Sequence, residues 1–191
     1  MENQEKLKEV IQGCIKQKRR SQEVLFQLYY GKMLSVVYRY LHDFDSSQEV
    51  VQEGFIKIFD NLHVFDFKGS FEGWIRRIMT NQAIDYIRKS KRMAKLTENE
   101  NDFKQEESYS MIEEEDTLLK DLKYEQALEA ISELSPAYRT VFNLFAIENY
   151  THREIAEMLN ISEGTSKSNY AKAKINLQKI LKKKFNNLEE E

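Results

Sequence analysis

The sequence predicts an all-α protein of two small helical domains, and three observations carry that prediction. Only one Pro and six Gly occur in 191 residues, too few turn residues for a fold built from many short strands. Apolar residues recur at helical spacing through most of the chain. A strongly acidic stretch, Met93 to Leu118, interrupts that spacing once and divides the chain in two. It holds nine acids and two bases, a net of -7, leaving 27 bases and 23 acids for the rest. The overall charge of -3 therefore conceals a mildly basic remainder, compatible with nucleic-acid binding.

The first core helix is expected across Leu25 to Leu41, with Phe26, Tyr29, Tyr30, Met33, Leu34, Val37 and Leu41 on one face. A second is expected from Ser46, where Ser46 and Glu49 have capping-box spacing, through Val51, Phe55, Ile58, Phe59 and Leu62. A loop with Phe65, Phe67, Gly69 and Phe71 leads to a third helix, about Gly73 to Lys91, with Ile75, Ile78, Met79, Ala83, Tyr86 and Ile87 inward. The stretch from Met93 to Leu118 is too polar to offset the entropy of ordering it and reads as a linker.

The second domain opens with Tyr124, Leu128, Ile131 and Leu134 at helical spacing. Ser135 and Pro136 mark the next helix, Ser as cap and Pro in the first turn, with Val141, Phe142, Leu144 and Phe145 apolar. Thr151 and Glu154 repeat the capping box before Ile155, Ala156 and Leu159, and Asn160-Ile161-Ser162 breaks the helix. A last helix then runs to about Lys183 with Tyr170, Ala173, Leu177, Ile180 and Leu181 available for packing. The small Ala156 at the crossing and Asn160, which tolerates a left-handed backbone, fit a helix-turn-helix. In such a unit the second helix enters the major groove, so Thr165, Lys167, Ser168, Asn169 and Lys172 are the candidate base and phosphate contacts. The same pattern also fits an ordinary helical hairpin.

On the third helix, Arg76, Arg77, Arg88, Lys89, Lys91 and Arg92 are interspersed with Trp74, Tyr86 and the preceding phenylalanines. Cations that track phosphates beside aromatic faces that stack on bases suit a partly single-stranded substrate. Ile78, Tyr86 and Phe71 taken singly read as packing residues, and the charges also fit a solvated face.

The single Cys14 cannot form an intramolecular disulfide, and His42, His63 and His152 are too scattered for a metal site. No metal, cofactor or catalytic residue is expected. The charged N-terminus is unlike a signal peptide, and no segment approaches the roughly 20 apolar residues of a membrane span. A cytoplasmic protein without membrane insertion is the expectation. No P-loop or nucleophile motif is present, so the chain does not read as an enzyme.

Three segments together resemble the sigma-70 family, in its extracytoplasmic-function group, over Leu25 to Arg92 and Leu134 to Leu181. The run from Ser46 to Phe55 is similar to the family's polymerase-binding helix. Phe67-Lys-Gly-Ser-Phe-Glu-Gly-Trp74, with Ile75-Arg-Arg-Ile and Asn81, resembles the segment that opens the -10 promoter element. Leu134-Ser-Pro-Ala-Tyr-Arg139, Glu154-Ile-Ala156 and Ile161 to Ser168 resemble the -35-binding domain. The resemblance implies a promoter-specific initiation subunit that binds core RNA polymerase and promoter DNA, and family members are commonly held inactive by an anti-sigma factor.

It also implies residue roles. Glu49, Gln52, Glu53 and Phe55 would bind polymerase. Phe67, Lys68, Gly69, Ser70, Phe71, Trp74, Arg76, Arg77, Asn81, Arg88 and Lys89 would bind the -10 element. Arg139, Thr165, Lys167, Ser168, Asn169 and Lys172 would bind the -35 element. The domains would be 1–92 and 119–191, joined by 93–118. Four positions depart from the family pattern: Ser46 stands for an acid, Ser166 for an apolar residue, and Asn169-Tyr170 for a basic and a large apolar residue. The rival readings are a helix-turn-helix regulator that acts without polymerase and a helical adaptor that binds only protein.

Overall fold

Polar faces alternate with apolar stripes along every helix of the computed structural model, which describes residues 2–97 and 122–186, with side chains at 5–90 and 127–183. Among the described residues eight α-helices follow in order: α1 (Glu2–Ile15), α2 (Arg19–Leu41), α3 (Phe44–Asn61), α4 (Phe71–Thr97), α5 (Leu122–Ser132), α6 (Pro136–Phe142), α7 (His152–Leu159) and α8 (Glu163–Asn186). A 3-10 turn (Leu62–Val64) follows α3, and a π-helical turn (Asn143–Ile147) follows α6. Among the described residues no helix is long and apolar enough to cross a membrane.

The first domain is a bundle in which α2, α3 and α4 pack pairwise. Leu25, Met33, Val37, Val51, Ile58, Met79 and Ala83 are fully buried between them. Close approach of α3 to α4 depends on Gly54, where an added Cβ would lie 2.4 Å from the Met79 sulfur. The sequence reading left residues before Leu25 outside the core, but α1 packs on α2 and on the 3-10 turn, burying Ile11 and Cys14. Burial pushes the Cys14 thiol up to about 11, so the sulfur serves as a small apolar group.

Local signals were read correctly in kind and differently in detail. The start of α3 is capped by Asp43, whose carboxylate accepts from the Ser46 N–H at 2.8 Å, three residues before the expected box. Ser46 instead takes the Tyr86 hydroxyl at 2.8 Å, which ties α3 to α4. Ser135 precedes α6 without a side-chain cap, and Pro136 occupies the first turn as expected. Thr151 and Glu154 form the full capping box of α7, and Asn160 adopts the left-handed conformation, φ 54° and ψ 49°. The helix of the basic face starts at Phe71 and continues to Thr97. The expected linker therefore begins inside α4, and 98–118 lie outside the described residues.

In the second domain α6, α7 and α8 enclose Leu134, Val141, Leu144, Ile155 and Ala173. The π turn widens the helix after α6 by one residue. That extra residue turns Asn143 toward the first domain, where its buried amide donates to the Arg39 carbonyl in the last turn of α2 at 2.9 Å.

Two neighbouring isoleucines test the register of α3. Ile58 is fully buried whereas Ile56 is 62% exposed. Ile58→Ala is expected to lower the unfolding free energy by about 2–5 kcal/mol, and Ile56→Ala to change it by no more than about 0.5 kcal/mol, both measured by urea denaturation. Equal losses would contradict the packing described.

Candidate functional site

Three surfaces gather the candidate residues. The first is the outer face of α3. Successive turns of a helix bring residues three and four apart together, so Glu49, Gln52 and Glu53 line one exposed strip. Ile56 extends that strip one turn further as an exposed apolar side chain that the sequence pattern does not single out. Phe55 belongs to the opposite face. It is 2% exposed and packs on Phe26 with ring centroids 4.7 Å apart, so it holds the strip in place from behind.

The second surface is the loop 65–70 with the start of α4. Phe65, Phe71 and Trp74 form an aromatic cluster with centroids 5.2 to 5.9 Å apart, anchored by buried Phe65 and Phe71. Phe67 rises from it, 40% exposed, on a left-handed backbone with φ 61°. A non-glycine residue held in that conformation is unusual. Asp66 accepts from the Lys68 N–H at 3.0 Å, and Ser70 accepts from the Gly73 N–H at 3.2 Å, which starts α4. The Lys8 ammonium of α1 lies 5.5 Å from the Phe67 ring. Lys68, Gly69, Ser70, Asn81, Arg88 and Lys89 are exposed, while Trp74 is half-buried.

Arg76 is differently placed. Its guanidinium grips Glu148 of the second domain with two parallel hydrogen bonds, Nη2 to Oε1 at 2.8 Å and Nε to Oε2 at 3.1 Å. Bonding to Glu148 is the main cause holding Arg76 above its usual value, against the opposing effect of burial. Arg77 lies over the Tyr150 ring at 5.6 Å. Neither Glu148 nor Arg39, which also binds it at 2.9 Å, was singled out by the sequence reading.

The third surface is the start of α8. Ser162 caps the helix by accepting from the Thr165 N–H at 2.9 Å. Thr165, Lys167 and Ser168 project outward, with Asn169 and Lys172 partly covered. Lys167 pairs with Glu163 at 2.7 Å, and this hydrogen bond holds the Glu163 carboxyl below its usual range. Arg139 is turned inward. It is 9% exposed and donates to the Ser132 carbonyl at the end of α5 at 2.8 Å, a helix cap within the domain.

Ser166 also has its explanation here. It is fully buried and its hydroxyl lies 3.0 Å from His152 Nδ1. The His152 ring stacks on Phe145 with centroids 4.2 Å apart. An apolar residue at 166 would strip that ring nitrogen of its partner, so the serine and the histidine belong together.

The comparisons decide the family. The Sigma-70 region 2 model matches residues 25–93, and the Sigma-70, region 4 model matches residues 124–177. The chain is 31% identical over 182 residues to the ECF RNA polymerase sigma factor SigW of Bacillus subtilis, covering 91% of this chain and 97% of that protein. This chain belongs to the sigma-70 family, in its extracytoplasmic-function group. The sigma factor is also 26% identical over 186 residues to the RNA polymerase sigma-H factor of Pseudomonas aeruginosa, covering 95% of this chain and 96% of that protein. The solved sigma factor RpoE in complex with the anti-sigma factor NepR from Bartonella quintana shares its fold, with a TM-score of 0.51 at 19% identity over 84% of this chain and 96% of that one. As a sigma factor it binds core RNA polymerase and directs promoter-specific transcription initiation.

Burial is the main cause holding His152 and His42 below the usual histidine value, aided by Lys167 and Arg139 respectively. Both therefore favour the neutral ring in the folded state. The unfolded chain takes up these protons first as pH falls, so stability is lost as pH drops below about 6.5. Urea midpoints measured from about pH 8 down to 5 should fall across that window. His152→Gln should flatten part of the slope. A slope unchanged by that substitution would contradict a neutral ring at 152 in the folded state.

Proposed function

We propose a division of labour among the three surfaces, with the domains partitioned at 1–92, 93–118 and 119–191. The strip of Glu49, Gln52, Glu53 and Ile56 docks the first domain on core polymerase. Its acids supply charge complementarity, and Ile56 supplies the apolar anchor that a protein contact needs at its centre. Phe55 acts through packing rather than contact.

The start of α8 reads the -35 element as duplex. Backbone N–H groups at its capped end face phosphate, Asn169 and Lys167 are suited to base edges, and Thr165, Ser168 and Lys172 position the helix. Arg139 supports that helix from within.

The loop 65–70 and the exposed face of α4 engage the -10 element as it opens. Phe67, 40% exposed, offers aromatic surface for an unstacked base, worth about 1–3 kcal/mol, once that base displaces Lys8 from over the ring, while Phe65 backs the ring at 5.0 Å. Phe71 and Trp74 brace the loop from beneath, while Lys68, Arg76, Arg77, Arg88 and Lys89 track the strand's phosphates, with Gly69, Ser70 and Asn81 beside them. The melting cost of a few kcal/mol is offset by these contacts and by the upstream grip. Polymerase performs the chemistry, and the sigma factor contributes no catalytic group, metal or cofactor. The site of action is the cytoplasm, where polymerase and chromosomal promoters meet, and an anti-sigma factor is the regulatory partner expected of such a protein. The observation that carries this reading is α3, whose apolar face is consumed by the core while its opposite face is left charged and solvent-exposed.

Gln52→Ala with Glu53→Ala should reduce co-elution with core polymerase and leave the thermal transition unchanged. Lys167→Ala with Asn169→Ala should lower promoter-specific transcription about tenfold or more while core binding persists. A lost thermal transition in the first pair, or undiminished transcription by the second, would overturn the corresponding assignment.

A further inference from the structure

The most strongly bonded contact between the domains is a carboxylate held by two guanidinium groups. Glu148 stands in the loop between the π turn and α7, and its side chain is 6% exposed. Arg39 of α2 binds Oε1 at 2.9 Å, and Arg76 of α4 forks across both oxygens. Two positive charges thus meet one negative charge whose carboxylate is nearly closed to water, while the Arg76 side chain stays 31% exposed. Arg39 also leaves its Nε buried without a hydrogen-bond partner. Fork-shaped donors on planar oxyanions are the common chemistry of carboxylate and phosphate recognition. A groove of about 580 Å³ opens from this point, lined by Lys68, Trp74, Arg77 and Tyr150 among others.

We propose that Arg39 and Arg76 form one anion site with two successive occupants: Glu148 in the free chain, and a backbone phosphate of the opened promoter strand once the domains part. The inference rests on the reading of α4 as the strand-binding face and adds Arg39 to it. Glu148 then acts as an internal surrogate for phosphate. While it sits on the pair, Arg77 lies over the Tyr150 ring and the Asn143 amide bonds the Arg39 carbonyl at the end of α2, so the upstream reader is latched against the downstream one. A strand phosphate can take both forks without leaving a buried carboxylate behind only if the loop 147–150 withdraws, so strand binding and domain closure exclude each other. A backbone phosphate carries the same single negative charge as the carboxylate and presents the same pair of acceptor oxygens, so either anion can occupy the two forks.

The test uses the full chain without polymerase. Spin labels on Lys57→Cys and Lys179→Cys, both exposed positions, report the distance between domains; Cys14 is buried and its thiol resists labelling. The probe is a short fluorescein-labelled single-stranded DNA. Glu148→Gln, which keeps the shape and removes the charge, should broaden and lengthen the label distance and raise affinity for the strand about tenfold. Adding Arg39→Ala to Glu148→Gln should return the affinity toward that of the parent while the domains stay apart. An unchanged distance in Glu148→Gln would overturn the latch, and an affinity indifferent to Arg39→Ala would overturn the shared site. Arg88→Ala with Lys89→Ala in the same background separates the two readings. If that pair weakens strand binding and Arg39→Ala does not, the shared site alone fails; if neither weakens it, the strand-binding face itself is misassigned.

Discussion

The burial of one face each of α2, α3 and α4 against the others is the constraint on which the rest of this sigma factor depends. Leu25, Met33, Ile58 and Met79 leave no room for slippage between these helices, and Gly54 sets how closely α3 approaches α4. A one-residue rotation of α3 would carry Ile58 toward water and Gln52 toward the core. Once the register is fixed, every polar residue needed outside is delivered there without further adjustment. The same packing carries the aromatic loop, since Phe65 and Phe71 are members of the core while Phe67 between them is not.

The seam between the domains obeys different physics. Apolar contact continues across it, for Val141, Leu144, Tyr150 and Ile155 join the cluster that begins at Ile11. Its specificity, however, comes from charge and amide groups removed from water: Arg39, Arg76, Glu148 and Asn143. Such groups stabilise little on balance, because desolvation opposes their attraction, but each is costly to leave without its partner. An interface of that kind is well suited to a defined closed arrangement that a competing anion can open.

Much of this was legible in the sequence because the relevant signals are local. Helical periodicity, the Thr151 and Glu154 capping box and the left-handed Asn160 depend only on neighbouring residues, and each stands where expected. The start of α3 was misplaced because Asp43 and Ser46 both satisfy cap chemistry, and only the packing of Tyr86 on Ser46 decides between them. In α1, the apolar spacing of Leu7, Val10, Ile11 and Cys14 was present but masked by the surrounding charges. The site residues were harder. Phe55 and Arg139 match contact positions in the motifs, and both side chains are buried, a direction that three-dimensional packing sets and no local pattern reveals. Arg39 and Glu148 lie 109 residues apart, and no local pattern announces a pair at that separation. Ser166, a departure when read alone, is intelligible once His152 is seen beside it.

In this sigma factor two readers held on one chain choose a start site only when mounted on polymerase. Sequencing the 5′ ends of transcripts made by core enzyme and this sigma factor on a randomised promoter library tests it directly. The account predicts starts at one fixed distance downstream of two enriched elements, and none of these starts with core enzyme alone. Scattered starts without enriched elements, or the same starts when the sigma factor is omitted, would contradict it.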